Sequence, residues 1–183
     1  INKAFVTNSG NNANNRYFGM ELSYDYGFAQ NQFNGNIGGM KWRSKGDGEQ
    51  RAYGFDYDDV DRLNKADFTQ NNSGWNVSAG IDYSVSNLTY DVNGNIGSMT
   101  QKGWKLTGSN YIDQLSYSYT ASSNKLLAVT DGSNDNTSKL GDFKYDAATK
   151  TSTDYSYDNN GNLVLDNNKK ISSIAYNYLN LPG

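Results

Sequence analysis

The sequence predicts an all-β protein built of tandem antiparallel hairpins that form a curved strip rather than a closed barrel. Three observations predict it. A turn-forming heptad recurs along the chain, two-residue alternation flanks the turns, and no stretch holds a 3.6-residue apolar period over three turns. The composition agrees: 27 asparagines, 19 glycines and 15 tyrosines stand against a single proline in 183 residues.

The heptad reads tyrosine, acid or amide, two variable residues, a turn former, a polar residue and an aliphatic residue. In chain order the first copy is partial, Asn31-Gln32-Phe33-Asn34-Gly35-Asn36-Ile37, which keeps only the second half. Tyr57-Asp58-Asp59-Val60-Asp61-Arg62-Leu63 follows, with Asp61 in the glycine slot. The fullest copies are Tyr90-Asp91-Val92-Asn93-Gly94-Asn95-Ile96 and Tyr157-Asp158-Asn159-Asn160-Gly161-Asn162-Leu163. Between them, Tyr119–Leu126 is a further degenerate copy. Tyr176-Asn177-Tyr178-Leu179-Asn180-Leu181-Pro182 closes the series with Asn180 in the turn slot.

Each residue type has a physical reason to stand where it does. Tyrosine ends a strand, because an aromatic ring packs well on a pleated surface. The Asp carboxylate accepts backbone N–H groups two or three residues ahead. Asn-Gly supplies the positive φ of a tight hairpin connection, expected at Gly94 and Gly161. Leu63, Ile96 and Leu163 then start the returning strands. Alternation marks Leu115–Tyr119 and Ile174–Tyr178 as strands, the latter as the last of the chain. Loops are expected at Asn8–Asn15, Gly46–Gln50, Asn71–Gly74 and Asp131–Ser138, all rich in Gly, Asn, Ser or Asp. No domain boundary interrupts residues 1–183. Ile1 and Leu181-Pro182-Gly183 look like cut ends of a longer polypeptide.

These units resemble the YD repeats of the RHS (rearrangement hotspot) family, over nearly the whole chain and most strongly at Tyr57–Leu63, Tyr90–Ile96 and Tyr157–Pro182. Segments such as Phe18–Tyr26 and Gly38–Arg43 are similar to the long-insert style of Bacteroidetes members. The resemblance assigns Tyr57, Asp58, Arg62, Leu63, Tyr90, Asp91, Gly94, Asn95, Ile96, Tyr157, Asp158, Gly161, Asn162, Leu163, Tyr176 and Asn177 to the structural repeat. It implies a strip of sheet spiralling into a hollow shell, secreted or at a bacterial cell surface. In polymorphic toxins such a shell encloses a C-terminal toxic domain, so the implied partners are neighbouring repeats and that cargo. The family's core-closing Asp-Pro-x-Gly motif does not occur here; Pro182 follows Leu181. The match therefore covers shell wall, without the autoproteolytic plug or the toxin.

Composition restricts the chemistry independently. With neither histidine nor cysteine there is no imidazole base, thiol nucleophile, disulfide or ordinary zinc site. A formal charge of −3 disfavours nucleic acid as partner. No apolar run approaches a membrane-spanning helix, and the ten-residue lipid-facing alternation of an outer-membrane barrel is not found. Asp58, Asp91 and Asp158 read as turn formers rather than metal ligands or catalytic carboxylates. Glu21 and Glu49 are the only glutamates, and nothing in their spacing selects a glycosidase pair. Asp131-Gly132-Ser133-Asn134-Asp135-Asn136-Thr137, with Asp142 at position 12, has the outline of a calcium loop. It lacks Gly at position 6 and Glu at position 12, and reads as a plain loop. Lys41, Arg43 and Lys45 alternate, which predicts three cations on one strand face with Trp42 opposite. The expectation is a non-enzymatic, cofactor-free shell wall. The alternative is a surface module whose exposed Tyr and Trp bind a glycan or receptor.

Overall fold

The computed structural model describes residues 17–105, 108–134 and 141–183; the loop expected at Asn8–Asn15 and residues 135–138 of that expected at Asp131–Ser138 lie outside these residues. The described residues are all-β, with eleven strands and no helix. The strands are β1 (Phe18–Ser23), β2 (Gly39–Ser44), β3 (Gln50–Tyr57), β4 (Leu63–Asn71), β5 (Trp75–Asn76), β6 (Val85–Tyr90), β7 (Ile96–Lys105), β8 (Gly108–Tyr119), β9 (Leu126–Asp131), β10 (Tyr155–Tyr157) and β11 (Leu163–Asp166).

Nine strands form one open antiparallel sheet in the order β1-β2-β3-β4-β6-β7-β8-β9, with β5 folded back on β4. β10 and β11 form a separate antiparallel pair. Sequential neighbours therefore pair almost throughout, as short hairpin connections require. The main-chain bond from Asp154 N–H to Leu127 O (2.8 Å) ties the segment before β10 to β9.

Among the described residues burial is modest, because no second sheet packs across the nine-stranded one. Ala52, Ala66, Phe68, Ile112, Leu115, Ala128 and Val129 are the buried hydrophobic residues. Phe68 anchors an aromatic row that crosses three strands: its ring meets Tyr53 edge-on (centroids 5.5 Å) and Trp42 at 6.2 Å, while Tyr53 stacks on Trp42 at 5.5 Å. Tyr83 closes the row on Phe68 at 5.2 Å. Such pairs contribute about 0.5–1.5 kcal/mol each beyond area burial. On the other face Phe28 lies over Gly39 and Gly54, which are register partners. A Cβ on Gly39 would come within 2.5 Å of the Phe28 ring, so glycine there makes room for the aromatic cover.

Three expectations are corrected. Ile174–Tyr178 is not a strand: it makes an Ile174 N–H to Val164 O bond (2.9 Å), and its partner segment contributes only the Tyr176↔Pro182 bridge. Asn177 N–H to Leu181 O and Gly183 N–H to Ala175 O (both 3.0 Å) close that bridge, and no further pair extends it. Lys45 lies beyond the end of β2, so the three cations do not share a strand face. Lys41 sits over Phe28 and Trp75, Arg43 Nε donates to Gly48 O (2.6 Å), and Lys45 sits over Tyr17. Finally, Gln50, Asn71 and Asp131 are strand ends rather than loop residues.

Candidate functional site

The heptads occupy one end of the strands and form a continuous row of turns. Tyr57, Tyr90, Tyr119 and Tyr157 are the last residues of β3, β6, β8 and β10; Leu63, Ile96, Leu126 and Leu163 are the first of β4, β7, β9 and β11. Each full copy is a three-residue hairpin loop rather than a two-residue Asn-Gly turn. Asp91 N–H donates to Asn95 O (2.9 Å) and Gly94 N–H to Asp91 O (3.1 Å). Asp58 with Arg62, Asp158 with Asn162, and Asn177 with Leu181 repeat the closing bond at 2.8, 2.9 and 3.0 Å. The third loop residue takes the left-handed conformation: Asp61 at φ 65°, Gly94 at 83°, Gly161 at 86° and Asn180 at 56°. Three-residue loops place that conformation there.

The carboxylates hold these loops shut from inside. Asp91 Oδ1 accepts Asn93 N–H (2.8 Å) and Asn95 N–H (2.9 Å), and its Oδ2 accepts Asn95 Nδ2 (2.8 Å). Asp158 does the same with Asn160 and Asn162, and Asp58 with Val60 and Arg62. Asn177 Oδ1 accepts Leu179 and Leu181 N–H groups. Hydrogen bonds to the ionised form hold all three carboxyls below the usual range. The leading cause is the Asn95 side chain for Asp91, the Asn162 side chain for Asp158 and the Arg62 backbone N–H for Asp58.

Successive turns are joined by the tyrosines. Tyr57 Oη donates to Ile37 O (2.9 Å), Tyr90 Oη to Leu63 O (2.6 Å) and Tyr119 Oη to Ile96 O (2.9 Å). Tyr157 Oη continues to Leu126 O (3.0 Å) and Tyr176 Oη to Leu163 O (2.8 Å). Every hydroxyl thus reaches the last residue of the preceding copy. The ladder runs through the partial copy at 31–37 and across the gap between the two sheets.

A second row of contacts links the sixth residue of one copy to the next. Asn36 Nδ2 donates to Asp61 Oδ1 (3.0 Å), Asn95 Nδ2 to Asn124 Oδ1 (2.9 Å) and Asn162 Nδ2 to Asn180 Oδ1 (2.9 Å). Where the residue before the last of a copy is a cation, it lies on the next tyrosine ring instead: Arg62 over Tyr90 at 4.7 Å and Lys125 over Tyr157 at 5.6 Å. In those two cases the receiving turn carries glycine, Gly94 or Gly161, and Lys125 Cε lies 4.0 Å from where a Cβ on Gly161 would stand. An amide is answered by Asp or Asn, a cation by Gly.

Sequence reasoning did not find two clusters beyond the turns. Lys150 forms an ion pair with the buried Asp154 and donates to Val129 O (2.6 Å), while Asp154 Oδ2 accepts Val129 N–H (2.8 Å). Between the middle of β8 and the end of β9, carboxylate oxygens of Asp113, Asp131 and Asp142 lie within 4.8 Å of one another. Asp131 and Asp142 were legible as a loop pair; Asp113 enters only through strand pairing.

Comparison with protein-family models, curated proteins and solved structures returned no match.

Proposed function

We propose that this chain is a non-catalytic structural segment of an RHS-type β-shell whose parent polypeptide encloses a C-terminal toxin or effector domain. The observation that carries the reading is the tyrosine ladder. Each turn binds its predecessor through the same phenol-to-carbonyl contact, so units can be added without redesigning any one of them. That is how repeat architectures gain length: stability comes from each unit's contacts with its neighbours. The motif carboxylates serve the turns, which leaves them unsuited to acid–base work. A sheet of one layer with a sparse core also suits a wall better than a compact domain. A secreted or cell-surface bacterial setting follows from the same resemblance.

The test is made on the polypeptide encoded at the source locus. Electron microscopy is expected to resolve a hollow particle whose wall contains the Tyr57–Tyr176 ladder. Limited proteolysis is expected to spare a downstream domain until the shell is unfolded. A solid particle, or a downstream domain cleaved equally fast in the folded protein, overturns the reading.

A further inference from the structure

We propose that Asp113, Asp131 and Asp142 form a binding site for a divalent cation of the calcium type, one that pins the connection after β9 to the middle of β8. Three acidic residues near one another are common on protein surfaces, but these are not on the surface. Asp113 is 2% and Asp131 4% exposed, and the Asp142 side chain is fully buried.

Their bonding is incomplete in a specific way. Asp131 Oδ1 accepts the N–H groups of Gln114 (2.7 Å) and Ser133 (2.8 Å), and Asp113 Oδ1 accepts Phe143 N–H (2.7 Å). These bonds fix the carboxylates in place. Asp131 Oδ2 and both oxygens of Asp142 are buried without a hydrogen-bond partner. A buried carboxylate oxygen left unsatisfied is costly, and three in one place call for a common occupant. Lys144 Nζ stands 3.8 Å from Asp142 Oδ2, beyond hydrogen-bond reach, and its side chain is 37% exposed. It screens the cluster without filling it, as does the positive charge of Lys105.

Geometry and donor type select the ion. Ligand atoms around one Ca2+ at 2.3–2.6 Å lie at most about 5 Å apart, and carboxylate oxygen is the preferred donor of hard cations. The mutual separation of 4.8 Å or less meets that limit.

The 183-residue chain is melted in EGTA and in millimolar CaCl2, and Tb3+ emission is recorded under tyrosine excitation. The Tyr145 hydroxyl lies 3.2 Å from Asp131 O, close enough to sensitise a bound lanthanide. Calcium is expected to raise Tm by about 5 °C or more, the scale of saturating a site absent from the unfolded chain. Asp142→Asn is expected to melt no lower than the parent in EGTA, since it relieves repulsion, yet to lose the calcium shift. Tb3+ emission should fall at least tenfold. Asp131→Asn keeps an oxygen for the Gln114 and Ser133 bonds and is expected to lose the same two responses. A parent chain with neither a calcium shift nor Tb3+ emission overturns the site, as does retention of both responses in the two variants.

Discussion

At Gly94 an added Cβ would meet nothing within 4 Å, so a side chain is excluded by backbone conformation alone. The φ of 83° is one that β-branched residues resist. Gly94→Val is expected to lower stability by about 1 kcal/mol or more, measured by urea denaturation; Gly94→Asn should cost less, since Asn180 adopts this conformation in the last turn. The carboxylates give a second residue-scale expectation, with a defined sign. Asp58, Asp91 and Asp158 have folded pKa values below the unfolded one. Their stabilisation is therefore fully present above the unfolded value of about 3.9 and is lost as pH falls through the folded values. NMR titration should find all three below the ordinary range. Asp91→Asn should flatten the acid limb of the stability curve.

At the scale of the element, the tyrosine ladder converts separate hairpins into one row. Removing one hydroxyl deletes a single bond between turns. Tyr90→Phe is expected to cost about 1 kcal/mol, the net worth of one hydrogen bond. Tyr178→Phe should be neutral, because Tyr178 is 92% exposed. The pairing of each copy's penultimate residue with the next turn predicts coupling. Gly161→Asn crowds Lys125, whose Cε already lies 4.0 Å from the position of an added Cβ. Lys125→Asn with Gly161→Asn recreates the amide pairing used by Asn95 with Asn124. The double-mutant cycle should give a favourable coupling of about 0.5 kcal/mol or more. The Lys150–Asp154 pair joins β9 to the segment before β10. Lys150→Met leaves a buried, uncompensated carboxylate and should destabilise by about 3–5 kcal/mol.

For the whole molecule, the open sheet has consequences that no single hairpin has. Among the described residues β1 is a terminal strand of the sheet, and its one charged side chain, Glu21, is buried. An edge without an outward charge invites pairing with another chain. The sequence marks Ile174–Tyr178 as the last strand; among the described residues the sheet instead ends at β1 and β9. Light scattering at rising concentration should show association, and Met20→Lys should reduce it.

Hairpin turns were legible in the sequence because their causes are local. A tyrosine, a carboxylate two to four residues from the N–H groups it caps, and a residue tolerant of positive φ act within seven positions. Strand boundaries at Tyr57, Leu63, Tyr90, Ile96, Tyr157 and Leu163 follow from that short-range chemistry. The degenerate Tyr119 copy also became regular in space: it stands 29 residues after Tyr90 and 38 before Tyr157, with a tyrosine bond on each side. What only the tertiary structure decided depends on residues far apart in the chain. The phenol-to-carbonyl ladder spans 13 to 31 positions, and the partner of each sixth residue lies in the next turn. Asp113 meets Asp131 and Asp142 because β8 pairs with β9 and Phe143 N–H binds the Asp113 carboxylate. Local propensity sets where the chain turns; strand register, which must satisfy every backbone bond at once, sets which side chains meet.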